Sequence, residues 1–157
     1  IRDLVRSRGL GDVYKRQADL LRRLARHLRA AGRQDLLDEF FDAWVEEQRE
    51  AAMPRVRDLA GRERVEEVAK ILSELGFMAV ADEADAVDGA DGADTAAGTD
   101  RLRLCHCPLR SLVDATHMPC RAEAGLVGEL LGRELTRESY IPAGDSSCSY
   151  RLAGATG

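Results

Sequence analysis

Apolar residues recur at helical spacing through the first half of the chain. Leu20, Leu21, Leu24 and Leu28 lie on one helical face, and Gly32 supplies a stop. Leu36, Leu37, Phe40, Phe41, Trp44 and Val45 form a second apolar stripe that runs into Glu46-Glu47, and Pro54 interrupts it. Val65, Val68, Ala69, Leu72 and Leu75 mark a third helix ended by Gly76. Each helix is amphipathic and needs a surface to pack on.

The pattern changes after Gly76. Phe77 to Ala81 is short and apolar, as a strand is, and Arg101-Leu102-Arg103-Leu104 alternates like a half-buried strand. Pro108 opens a short helix through Val113, and Pro119 opens a longer one that buries Leu126, Val127, Leu130 and Leu131. Leu135 to Ile141 and Cys148 to Leu152 read as a hairpin. Its turn is Ala143-Gly144-Asp145, and Cys148, Tyr150 and Leu152 share one face of the last strand. The expected fold is α+β: leading amphipathic helices, then a roughly four-stranded antiparallel sheet with two inserted helices.

Three stretches stand apart. Residues 1–17 carry Ser7-Arg8-Gly9-Leu10-Gly11-Asp12-Val13-Tyr14-Lys15-Arg16-Gln17, which resembles a translated sequencing-adapter read-through. This segment is expected to be non-native, with a short basic arm as the alternative, and the native sequence before Ala18 is expected to be missing. Asp82 to Asp100 holds seven acidic residues and no basic ones, padded with Ala and Gly. It is expected to be a disordered loop between two strands of the domain, which spans residues 18–152. Residues 153–157 are expected to fray.

Composition narrows the class. With 157 residues, 45% hydrophobic but only 4% aromatic, the chain supports one domain with an aliphatic core. A formal charge of −5 leaves no basic stripe as a nucleic-acid footprint. There is no apolar run long enough to span a membrane and no visible secretory signal, so a cytoplasmic location is the expectation. In that compartment the four cysteines read as metal-binding, redox-active or simply buried, rather than as disulfides.

Cys107, Cys120 and Cys148 sit at element boundaries, beside a proline or a turn. Cys120 follows a helix-starting proline, where free backbone N–H groups and the helix dipole favour a thiolate. Glu123 is three residues on and projects from the same side of the helix. Brought together, these soft donors suit an iron–sulfur cluster or zinc, with Glu123, His117 or His106 as a fourth ligand. Cys105 belongs with the strand and is expected to be a neighbour rather than a ligand. The alternative is that each cysteine is a small buried hydrophobe.

Leu104-Cys105-His106-Cys107-Pro108-Leu109, Cys120-Arg121-Ala122-Glu123 and Gly144-Asp145-Ser146-Ser147-Cys148-Ser149-Tyr150-Arg151-Leu152 carry a resemblance. Together they resemble the C-terminal domain of bacterial winged helix-turn-helix transcriptional regulators of the ArsR-like or DeoR-like kind. Those regulators include the iron–sulfur-sensing repressor of the cluster-assembly operon. The resemblance covers Ala18 to Leu152. It implies cluster ligation by Cys107, Cys120 and Cys148, with Glu123 as a candidate fourth ligand, and a homodimer that holds DNA through a winged helix-turn-helix. That DNA-binding domain is not in this chain, so the resemblance implies the sensing and dimerising half of a regulator.

Two other functions compete: a structural zinc site on the same residues, and a small-molecule-binding domain with an apolar cavity, similar to the vinyl-reductase type, in which the cysteines are incidental. An enzyme is not expected, because no nucleophile elbow, Ser-x-x-Lys or phosphate-binding glycine loop is present. His27 and the cluster Arg22, Arg23, Arg26 and Arg29 read as a solvated helix face, or as a linker to the missing domain.

Overall fold

A computed structural model describes residues 2–83 and 100–153, with side chains from Lys15 onward in the first helix. The element order is α1 (Arg2–Ala30), α2 (Gln34–Val56), α3 (Gly61–Glu74), β1 (Ala79–Glu83), β2 (Asp100–Leu104), α4 (Arg110–Val113), α5 (Met118–Leu131), β3 (Leu135–Ser139) and β4 (Cys148–Leu152). The four strands form one antiparallel sheet in the order β1-β2-β4-β3. The α+β expectation therefore holds, and the two inserted helices fall between β2 and β3.

The chain divides into two compact units, one of residues up to Trp44 with Leu109–Ala122, the other of Val45–Pro108 with the chain from Glu123 onward. In the first unit, Ala25 of α1 and Leu37 of α2 are buried with Ala115, and Leu28 and Leu112 pack around them. Arg29 donates to the Ala115 carbonyl oxygen, tying α1 to the turn after α4. The predicted apolar face of α1 is only partly used. Ala25, the smallest side chain of that region, is buried, whereas Leu20, Leu21 and Leu24 are exposed.

The second unit holds the sheet. Val65, Val68, Ile71 and Leu72 of α3, Leu102 and Leu104 of β2, Tyr150 and Leu152 of β4, and Leu126, Val127 and Leu130 of α5 are buried there. Their spacing follows the elements: three and four apart on the helices, two apart on the strands. Gly76 ends the α3 segment with φ +94°, where a side chain would be strained and a Cβ would lie 3.4 Å from Pro108. Phe77 then turns inward and is buried. Beyond the regular ladder, the His106 N–H donates to the Phe77 carbonyl oxygen at 3.0 Å, so the β1–β2 pairing carries on to the residue before Cys107.

Several boundaries differ from the sequence expectation: β1 starts at Ala79 rather than Phe77, and β3 ends at Ser139, before the 3-10 turn Ile141–Ala143. Pro54 lies inside α2, which ends two residues later at Val56. So close to a helix end, a proline removes one backbone hydrogen bond while its fixed φ still suits the helix. Asp82 and Asp100 belong to strands rather than to the acidic loop. Each has a guanidinium to neutralise it: Arg103 lies 2.8 Å from Asp82, and Arg133 lies 2.9 Å from Asp100. The rest of the acidic stretch, 84–99, lies outside the described residues, as does the tail 154–157. The segment expected to be non-native falls within α1, whose first side chains are likewise outside them.

Candidate functional site

The hairpin β3–β4 and Glu123 of α5 build the most unusual polar arrangement of the second unit. Glu123, in the first turns of α5, is only 5% exposed. The Tyr150 hydroxyl donates to Glu123 Oε2 at 3.0 Å, and Arg137 Nη2 donates to that hydroxyl oxygen at 2.9 Å. The register dictates this: Arg137 and Tyr150 are direct partners across β3 and β4, so their side chains emerge on the same face. The Arg137 guanidinium also stacks 4.5 Å from the Tyr140 ring centroid and 5.4 Å from that of Tyr150.

Glu123 Oε1 is buried and has no hydrogen-bond partner among the described residues. Burial therefore dominates the ionisation of this carboxyl and pushes it up to about 7, against the weaker pull of the Tyr150 hydrogen bond and the Arg137 charge. The Tyr150 phenol is raised by burial first and by the Glu123 charge second, and so remains a donor. The result is a chain of donation, Arg137 to Tyr150 to Glu123, from an exposed guanidinium to a buried carboxyl that is near half-protonation at neutral pH.

The cysteines are distributed as follows. Cys148 opens β4, is buried, and its Sγ accepts a hydrogen bond from the Ile141 N–H at 3.3 Å. Cys120 is buried in the first turn of α5. Cys107 is half-buried in the segment before α4, and Cys105 is exposed just past β2. None of the four is in a disulfide. His117 and His106 are exposed. Gly144 takes φ +107° in the expected turn, closing a short 3-10 segment, Ile141–Ala143, before β4. Next to Cys148, the Ser139 and Ser149 hydroxyls meet at 2.7 Å, and Ser139 also donates to the Ser147 carbonyl oxygen.

Among the described residues, no group of three or more His, Cys, Asp or Glu side chains is placed to hold a metal ion. Glu123, the expected fourth ligand, accepts from Tyr150 through one oxygen and has the other buried. The alternation of β4 pointed to Tyr150, which shares the buried face with Cys148, but the sequence reading passed over it as a site residue. Arg137 went unnoticed because its role depends on strand register, which a single strand does not display.

At the opposite end of the sheet, where β2 begins and β4 ends, a cavity of about 200 Å³ is lined by Arg64 of α3 and Arg133 after α5, with Leu59, Val65 and Leu131. No helix among the described residues is long and apolar enough to cross a membrane.

The fold and the site define a small α+β domain with a buried, partly unsatisfied carboxyl–phenol pair. No family model, curated protein or solved structure matches the chain.

Proposed function

We propose that this chain is the sensing and dimerisation domain of a transcriptional regulator, as its cysteine motifs imply by resemblance. The observation that carries the reading is the apolar face left open on the two leading helices. Leu20 is 68% exposed and Phe40 60%, and Leu21, Leu24 and Leu36 are exposed beside them. Leu20 and Leu24 are one turn apart on α1, as are Leu36 and Phe40 on α2, which makes two short seams of the kind that helical bundles bury. A second copy of the chain is the occupant that the flanking charge favours. α1 carries Arg22, Arg23, Arg26 and Arg29, whereas α2 carries Asp35, Asp38, Glu39 and Asp42. A twofold pairing of these two seams sets α1 of each copy against the acidic first half of α2 of the other.

Sedimentation of the full chain at ~10 µM tests this, a concentration at which a micromolar Kd, about −8 kcal/mol, gives mostly dimer. The wild type is expected to sediment as a dimer and the doubly charged Leu24→Glu, Phe40→Glu variant as a monomer with unchanged helical circular dichroism. A monomeric wild type sinks the reading. Dimerisation that weakens steeply with salt supports the charge pairing.

A thiolate centre on Cys107, Cys120 and Cys148, holding an iron–sulfur cluster or zinc, is the second reading. It is favoured by two buried thiols at element starts, one of them a single helical turn before Glu123. Anaerobic reconstitution with ferrous iron and sulfide separates the options. Identical, featureless visible spectra for the wild type and Cys120→Ser remove the cluster. Zinc in protein purified both under air and under nitrogen, with no iron, favours the structural metal.

A further inference from the structure

We propose that the cavity between the α3 start and the α5 end binds a small oxyanion, a phosphate ester or carboxylate of a free metabolite. The cavity, about 200 Å³, is lined by Ala60, Gly61, Arg64, Leu131, Gly132 and Arg133, among others. Arg64 donates from Nε to the Leu130 carbonyl oxygen at 2.7 Å, and this single bond fixes the plane of its guanidinium. Both of its η nitrogens are left without an acceptor among the described residues. Other arginines of the unit differ in this respect: Arg49, Arg55, Arg101 and Arg151 each meet a glutamate, and Arg49 and Arg55 meet two.

Arg133 forms the other wall. Its Nε donates to the Ala153 carbonyl oxygen at 2.7 Å and its Nη1 to Asp100 Oδ2 at 2.9 Å, so it is held in place with its side chain 14% exposed. Asp100 is shared: Arg62 Nη1 lies 3.6 Å from its other oxygen. Two guanidinium groups thus meet one carboxylate, Arg62 meets Glu66 as well, and Arg64 brings a third positive charge to the cavity, which keeps an excess of that sign. Gly132, with φ +62°, lies beside Arg64, where an added Cβ would stand 3.9 Å from Nη2. The uncapped first turn of α3 adds partial charge of the same sign, since Ala60 supplies no capping side chain.

A fork of two free donors on a fixed plane matches a planar or tetrahedral oxyanion and repels a metal cation. The volume suits a small metabolite and not a nucleotide or a drug-sized ligand. A chain with a formal charge of −5 is poorly suited to nucleic acid as the source of the phosphate.

The test is titration of the full chain with inorganic phosphate, and separately with acetate, against sodium chloride at matched ionic strength and pH. The readouts are the thermal midpoint and amide chemical shifts. The wild type is expected to be stabilised by phosphate or acetate beyond the chloride control, with shifts at the Gly61 and Gly132 amides. A charged hydrogen bond contributes enough that Arg64→Gln should weaken binding about tenfold or more, whereas the charge-matched Arg23→Gln on α1 should bind as the wild type does. Stronger binding of phosphate than of acetate selects the phosphate ester, and the reverse selects the carboxylate. Three results overturn the proposal: no anion-specific stabilisation of the wild type, equal binding by Arg64→Gln, or shifts confined to other amides. The wild-type shift map decides the matter even where Arg64→Gln fails to fold.

Discussion

Glu123→Gln should change how the protein's stability depends on pH. In the folded state the Glu123 carboxyl keeps its proton to about pH 7, against 4.5 for a free side chain. The folded protein therefore binds more protons than the unfolded chain between those values, and stability must fall as the pH rises through that window. Below pH 4.5 both states hold the proton and the penalty vanishes; above about pH 7 both have lost it and the penalty is complete. At about 1.4 kcal/mol per pH unit the full penalty is about 3 kcal/mol. Glutamine has no such titration. Its carbonyl oxygen can still accept from Tyr150, while its amide N–H group replaces an oxygen that had no partner. That buried, unmatched donor costs about 1–3 kcal/mol, equally at every pH.

The diagnostic quantity is therefore a difference of differences. Urea unfolding of both proteins at a fixed protein concentration, followed by Trp44 fluorescence, gives stability at each pH. Between pH 4.5 and pH 8 the stability of the variant relative to the wild type should rise by about 3 kcal/mol, whatever the constant offset. Titrations common to both proteins cancel, including those of Glu67, Glu74 and Glu138, whose carboxyls are held low by arginine partners. Two parallel curves across this range would refute the view that a buried, underpaired carboxyl sits beneath Tyr150.

Tyr150→Phe removes the one donor to Glu123 among the described residues and should cost about 1–3 kcal/mol. It should also move the pH midpoint of the stability curve upward, because that hydrogen bond favours the ionised carboxylate. Leu102→Ala, at a position with no exposure in the central strand β2, should lose about 2–5 kcal/mol in the same unfolding assay. Gly76→Ala forces a side chain into φ +94° against Pro108 and should cost about 1–2 kcal/mol, read as a lowered thermal midpoint.

Most of the fold was legible because its signals are local. Gly32, Gly76 and Gly144 mark chain reversals by their need for positive φ, and each adopts it. Pro108 and Pro119 announced α4 and α5 to within two residues. The alternation of β4 placed Cys148, Tyr150 and Leu152 on a buried face, as found. What could not be read is what depends on partners distant in sequence. The apolar residues of α1 fixed a helix but not which of them it buries; Ala25 is enclosed while three leucines stay open. Glu123 was legible as a special residue, but its partner lies 27 positions away and is reached only through the order β2-β4-β3. Arg64 and Arg133 carry no motif at all, and only tertiary packing sets them across one cavity.

The two ends of the sheet have opposite electrostatic problems, and each leaves a group partly unanswered. Near β4's start, Glu123 has too few donors: one hydroxyl for two buried oxygens. Near β4's end, Arg64 has too few acceptors: one carbonyl for a whole guanidinium. Residues whose only task is stability are rarely left so, because a hydrophobic replacement is often as good or better. The two groups are joined through α5, which begins near Glu123 and ends at Leu131 beside the arginine cavity. A small displacement of that helix on anion binding would alter the burial of Glu123, and hence its proton affinity. This makes a specific demand: if the ends are coupled, phosphate at saturating concentration must shift the pH midpoint of the wild-type stability curve, and the Glu123→Gln variant must bind phosphate with an affinity that no longer varies between pH 5 and pH 8 beyond the titration of phosphate itself. An unshifted midpoint, with phosphate bound, would make the two ends independent sites on one scaffold.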